Sequence, residues 1–99
     1  MNERDVQRKC VEYARSRGWS AWKFSSPANN SVPDYLFAKV DQRGKRHVIL
    51  DEFKATDKYP TEIQADTHDE MRAAGLIVWS HNDVERFVFD LNKYEVART

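Results

Sequence analysis

The chain has a single cysteine, Cys10, among 99 residues. It therefore cannot close an internal disulfide or build a zinc cage from thiolates, which fits a reducing compartment. No apolar run approaches the roughly 20 residues of a membrane helix. The opening Met1-Asn2-Glu3-Arg4-Asp5 lacks the charged-then-apolar pattern of an export signal. The expectation is a soluble, cytoplasmic protein with no membrane partner. No repeat, low-complexity tract or linker interrupts the sequence, so residues 1–99 read as one domain with a single modest core.

Net charge is absent too. Lys plus Arg equals Asp plus Glu at 16 each, which argues mildly against a nucleic-acid partner, since phosphate-binding domains usually carry a basic excess. The distribution is uneven, however. Through Lys58 there are twelve basic residues against eight acidic ones; from Tyr59 onward there are four against eight. Acids that face metal ions would also cease to repel phosphate.

What is present is an alternation of helix and strand signals. Asn2 is a candidate N-cap for a helix that places Val6, Cys10, Tyr13, Ala14 and Arg17 on one face and stops at Gly18. Trp19 to Phe24 reads as a short strand, and Ser25 to Ser31 as a polar loop. Val32 to Val40 and His47 to Phe53 form a hairpin across Asp41-Gln42-Arg43-Gly44-Lys45-Arg46. Pro60-Thr61 opens a helix with Ile63, Thr67, Met71 and Ala74 at helical spacing, closed by Gly75. Leu76 to Trp79 reads as the last strand. Asn82 caps a final helix from about Asp83 to Tyr94, turning Val84, Phe87, Val88 and Leu91 inward. The predicted order is α-β-β-β-α-β-α.

The hairpin carries the chemistry. With its turn centred near Arg43, cross-strand partners have numbers summing to about 86, and Asp34 plus Glu52 meets that sum. Two carboxylates directly opposite, with Cβ atoms roughly 5 Å apart, repel each other. A divalent cation would neutralise them, because hard Mg²⁺ takes one or two carboxylates and leaves its other positions to water and phosphate. Strand period puts Lys54 on the face of Glu52 and turns Phe53 away, its carbonyl still able to serve as a ligand. These parts suit phosphodiester hydrolysis: a metal polarises the phosphoryl oxygen and acidifies a water, while a lysine orients it or offsets developing charge. Taken alone, a Glu-x-Lys is usually a solvated charge pattern. Here Pro33-Asp34 stands at the matching register.

These residues resemble a family. Val32-Pro33-Asp34, Glu52-Phe53-Lys54 and Gln64 look like the PD-(D/E)XK nucleases, and more closely the virus-type replication-repair nuclease (VRR-NUC) branch. Glu3, Gly18-Trp19, Lys23, Thr61-Glu62-Ile63-Gln64 and Ala74-Gly75 extend the likeness over residues from about 3 to 80. Ser31 departs from the glycine of many relatives, and Asp51 adds an acid beside Glu52. The resemblance implies a restriction-endonuclease-like α/β core, a mixed sheet flanked by helices. It implies that Asp34, Glu52 and the Phe53 carbonyl hold metal, that Lys54 is catalytic with Gln64 in support, and that Glu3 joins as a ligand from the first helix. Glu3 shares the face of Val6 and Cys10, although an acid in a first helical turn is favourable anyway. Thr61-x-x-Gln64 is also a capping box.

Other constellations are weaker. His47, His68, His81 and Cys10 have no zinc-ligand spacing on one element. Ser25, Ser26 and Ser31 lack a His-Asp arrangement and read as turn formers or phosphate contacts. For Trp19, Trp22, Phe87, Phe89 and Tyr94, core filling comes first, an interface second and base stacking third. The expected function is a Mg²⁺- or Mn²⁺-dependent DNA endonuclease. Lys23, Ser25, Ser26, Arg43, Lys45, Arg46 and Lys58 would meet phosphates, which position DNA without reading its sequence. Structure-selective cutting follows as an expectation. A small footprint would be doubled by a dimer, and the minimal length resembles viral members for which resolution of Holliday junctions by a homodimer is the family expectation. A flap or single-strand nuclease, or a non-catalytic DNA-binding module, are the alternatives.

Overall fold

A computed structural model of the chain describes residues 1–24 and 31–98. The predicted order holds: α1 (Glu3–Ser16), β1 (Ser20–Lys23), β2 (Tyr35–Val40), β3 (Arg46–Phe53), α2 (Glu62–Ala73), β4 (Val78–His81) and α3 (Val84–Arg98). The four strands form one sheet in the order β1-β2-β3-β4; the first two pairings are antiparallel and β3–β4 is parallel. The sheet is therefore mixed, with α2 as the crossover that a parallel pair requires. Among the described residues no helix is long and apolar enough to cross a membrane.

Strand period sorts the sheet into two unlike faces. Phe37, Ile49 and Phe53 point to one side, where α1 contributes Val6, Cys10 and Ala14 and α3 contributes Phe87 and Leu91 to a common core. Phe37, Phe53 and Phe87 lie with ring centroids 5.5–6.2 Å apart, within the range of favourable aromatic pairing. Leu50 and Val78 are buried on the opposite face, the side that α2 reaches through its packing against β4.

Local signals explain most element ends. The Asn2 side chain accepts from the Asp5 backbone N–H at 2.8 Å, and Gly18 at φ +89° lets the chain leave α1. At the β2–β3 turn one Asp41 carboxylate oxygen accepts from the N–H groups of Arg43 and Lys45, both at 2.9 Å, with Gly44 at φ +81°. The hairpin register runs from Tyr35 opposite Asp51 to Val40 opposite Arg46, the predicted sum throughout.

Several expectations need correction. β1 begins at Ser20, because Trp19 is a buried core residue. β2 begins at Tyr35, beyond Pro33, which has no N–H for a ladder. β3 begins one residue earlier, at Arg46. β4 spans Val78–His81, two residues later than expected, since Gly75 at φ +97° and the turn after it take up the chain first. Of the four α2 residues at helical spacing, Thr67 and Met71 turn toward the sheet together with Gln64 and His68, whereas Ile63 and Ala74 are exposed. That inward face is polar because α2 lies beside the charged end of the sheet, so apolar spacing misleads by one residue. Asn82 is no cap; its amide donates to the Lys58 carbonyl at 2.7 Å, and the Asp83 carboxylate accepts from the Arg86 N–H at 3.3 Å in its place. The helix that follows runs on to Arg98.

Candidate functional site

The antiparallel ladder does not stop abruptly at Tyr35. The Phe24 N–H donates to the Asp34 carbonyl at 2.9 Å, extending the β1–β2 pairing by one residue. This places Asp34 in the row next to the Tyr35–Asp51 pair, opposite Glu52. Pro33, fully buried, fixes the approach from the other side. Alternation then assigns the acids of β3 different fates. Asp51 points into the core, and Glu52 points to the α2 side with Asp34 and Lys54. Only Glu52 shares a face with Asp34, as the parity with Lys54 requires.

The charges around this pair are poorly compensated. Burial pushes the Glu52 carboxyl up from 4.5 to about 7; Asp34 adds to the shift, Lys54 opposes it, and Glu3 and Asp51 raise it further. Burial likewise raises the Asp34 carboxyl, with Lys23 opposing, Glu3 adding, and its own backbone and Lys54 opposing. Glu3, Lys23, Asp34, Glu52 and Lys54 thus act on one another at one end of the sheet. One Asp34 carboxylate oxygen is buried without a hydrogen-bond partner. An acceptor-only group enclosed with no donor is unfavourable unless something positive meets it, and this oxygen fits a cation.

The Phe53 carbonyl is turned to the same place. The Lys54 N–H donates to His81 on β4 at 2.9 Å. Across a planar trans peptide the Phe53 carbonyl points the opposite way, toward the Asp34 side. Two carboxylates and a carbonyl make an all-oxygen donor set, of the kind hard Mg²⁺ or Mn²⁺ takes. No three His, Cys, Asp or Glu side chains converge as a metal cluster among the described residues. Glu3 stands near the pair but accepts from the Gln7 amide at 3.2 Å.

The remaining expected residues divide. The Gln64 amide oxygen accepts from the Thr61 N–H at 3.0 Å while the Thr61 hydroxyl accepts from the Gln64 N–H at 3.2 Å, so the capping box is formed. The Ser31 and Thr67 hydroxyls share a hydrogen bond of 2.7 Å, giving the serine that replaces glycine a use in tying the start of the β2 approach to α2. Lys58 is exposed in the loop after β3. Arg43, Lys45 and Arg46 lie at the far end of the hairpin; six residues of strand separate Arg46 from Glu52, roughly 20 Å. Ser25 and Ser26 lie outside the described residues. Cys10 is fully buried and its thiol is pushed up by burial, which removes it from chemistry.

Sequence reasoning missed the neighbourhood on the core side. His81 lies between Asp51, 2.6 Å from Nδ1, and Asp90, 2.7 Å from Nε2. A neutral imidazole has one N–H and cannot donate to both. Burial works against its charge, but the two carboxylates outweigh this and hold its pKa above the ordinary value. The result is a buried imidazolium strapping β3, β4 and α3 together directly behind Glu52. His68, buried on α2 with one ring nitrogen unpartnered, has its pKa lowered by burial, with Arg72 adding to the fall. The three histidines do not converge. Only the proximity of His81 to the end of a strand was available as a signal, and the predicted β4 stopped before reaching it.

With the geometry in place, the comparison with solved structures is direct. A structure described as "VRR_NUC domain" matches with a TM-score of 0.77 and 22% sequence identity, covering 93% of this chain and 96% of that chain. The likeness establishes the fold: the restriction-endonuclease-like α/β core, with its mixed sheet and flanking helices, over nearly the whole chain. No family model matches the sequence, and no curated protein does.

Proposed function

We propose that the chain is a VRR-NUC nuclease that hydrolyses phosphodiester bonds of branched DNA with Mg²⁺ or Mn²⁺. The observation that carries this reading is the enclosed oxygen of Asp34, without a hydrogen-bond partner among the described residues, opposite Glu52, whose carboxyl burial and Asp34 push up to about 7. The fold shared with a VRR_NUC domain supports it.

In this reading Asp34, Glu52 and the Phe53 carbonyl hold the ion, and Glu3 stands in reach of it. When bound, the metal would polarise a phosphoryl oxygen and lower the pKa of a water. Lys54, on the face of the carboxylates, offsets the negative charge that develops on the phosphoryl oxygens and orients the attacking water. Lys23, beside Asp34, grips a phosphate next to the cut. Gln64 steadies the start of α2 through its capping box. Arg43, Lys45 and Arg46 reach phosphates too distant for the reaction itself, and Lys58 meets the backbone near the site.

The preferred substrate is a Holliday junction cut by a homodimer, whose symmetry a four-way junction matches. Labelled junctions, flaps, single strands and linear duplex are incubated with wild type, Asp34→Ala and Lys54→Ala, with Mg²⁺, Mn²⁺ or chelator, and the mass in solution is measured. Metal-dependent cutting of junctions by wild-type dimer alone is expected. Equal cutting by all three proteins sinks the enzyme. Cutting of flaps or single strands with junctions left intact replaces the resolvase with the flap nuclease.

A further inference from the structure

The face of the sheet that carries Asp34 and Glu52 is only partly covered. α2 packs against β4, and among the described residues no helix packs on the outer face of β1 and β2. Strand period puts on it Ser20 and Trp22 from β1, Leu36, Ala38 and Val40 from β2, and Arg46, Val48 and the buried Leu50 from β3. Trp22 is 56% exposed, Val40 64% and Val48 44%. Beyond the Asp34–Glu52 pair β1–β3 place no carboxylate on that face, and Arg46 adds a cation at the end remote from Lys54. A shallow cleft of about 350 Å³, lined by Trp22, Ala38, Val40, Arg46 and Val48 among others, opens on it.

The position of Trp22 decides what this face is for. Trp22 is paired directly with Leu36, two residues along β2 from Asp34, and the Phe24–Asp34 bond keeps the ladder in register to that point. Trp22 and Asp34 are therefore diagonal neighbours on one face, with Cβ atoms roughly 7–8 Å apart, a span aromatic side chains bridge. α2 lies on the β4 side of the two carboxylates, and the exposed Trp22 lies on the side away from it.

On the reading of the site as a phosphodiesterase, we infer that Trp22 is the stacking platform for an unpaired base beside the cut, and that the apolar face beyond it, with Arg46, carries the neighbouring single-stranded nucleotides. Every base has an apolar π-face, and an acid-free surface with an exposed indole and a guanidinium meets bases and phosphates alike. Bases inside a duplex have both faces covered by their neighbours and cannot use Trp22. At a branch point the stack is interrupted, so a base there can turn out onto Trp22, and the face favours such points over continuous duplex.

The test measures binding of a labelled single-stranded oligonucleotide in chelator, where no strand is cut, by wild type, Trp22→Ala and Trp22→Phe. Trp22 is exposed, so its replacement leaves the core intact. Trp22→Ala is expected to weaken single-strand binding about tenfold or more. Trp22→Phe should restore most of it, binding of blunt duplex should not change, and a strand with abasic sites should bind wild type as weakly as it binds Trp22→Ala. Unchanged single-strand affinity, or an equal loss on duplex and abasic strands, overturns the inference. So does a change of molecular mass in Trp22→Ala with affinity preserved, which would give the face to a second copy of the chain. Cutting assays with Mn²⁺ separate the two readings: a wild type that binds through Trp22 yet cuts nothing refutes the nuclease and leaves the platform standing.

Discussion

Asp51 and Glu52 are consecutive on β3 and leave it on opposite sides of the sheet, one to an imidazolium in the core and one to an unneutralised partner, Asp34. The same strand thus anchors itself with one acid and exposes the next to chemistry. Removing either acid has a different consequence, and the difference is measurable.

Replacing Asp34 with Asn removes one of two mutually repelling charges. In chelator Asp34→Asn should melt higher than wild type, by an amount on the order of 0.5–2 kcal/mol in stability, while metal-dependent cutting falls. Lys54→Ala should reduce cutting about 10²–10³-fold with little change in melting. Thermal melts beside single-turnover cutting rates check both.

The metal-free protein should lose stability as pH rises. Glu52 releases its proton at about 7 in the folded chain instead of 4.5, and Asp51 at about 6 instead of 3.8. Between the unfolded and folded values the folded state holds the extra protons, so stability falls across that window as pH increases. The raised His81 pKa has the same sign: its contribution is present below the unfolded value and is lost as pH passes through the folded one. Melting temperatures in chelator from about pH 5 to pH 8 should therefore decline, and Glu52→Gln or added Mn²⁺ should flatten the decline.

Asp51→Ala removes one of the two carboxylates on the buried His81 ring and leaves Asp90 on the other, and should cost about 1–3 kcal/mol, while Asp51→Asn, which still offers an acceptor to Nδ1, should cost less. Urea unfolding of the two variants measures the gap. Equal losses would mean that the carboxylate charge contributes nothing.

At the other end of the hairpin, Asp41 accepts from Arg43, Lys45 and His47. Asp41→Ala should lower the melting temperature, since two backbone N–H groups of the turn and the His47 ring lose their acceptor. Cutting of a short substrate at saturating metal should remain at the wild-type rate, because the turn is far from the carboxylates.

The sequence disclosed what depends on neighbours along the chain. The hairpin sum of 86 predicted Asp34 opposite Glu52, and Asn2, Thr61, Gly18 and Gly75 marked helix ends, and Gly44 the hairpin turn, through local bonds and backbone angles. Hidden was whatever depends on which element covers which face. Ile63 has the spacing of a core residue but faces water, and His68 beside it is buried, because α2 rests on β4 near the polar end of the sheet. Alternation places Trp22 opposite Ala21 in direction, but only the strand order and the packing of α2 leave its face open. The Asp51–His81–Asp90 chain joins residues 30 and 9 positions apart, and no local pattern links them.

The carbonyl of Met1 accepts from the N–H of Thr56 at 3.0 Å, in the loop that leaves β3. This bond, two residues before Glu3, fastens the start of α1 beside the carboxylate end of the sheet, whereas the last turns of α3, with Tyr94, Ala97 and Arg98, line a pocket with Ile77 and Trp79. The two termini are therefore not equivalent places to attach anything. A purification tag or fusion joined before Met1 would crowd Glu3 and the two carboxylates it acts on, and one joined after α3 would leave them as they are.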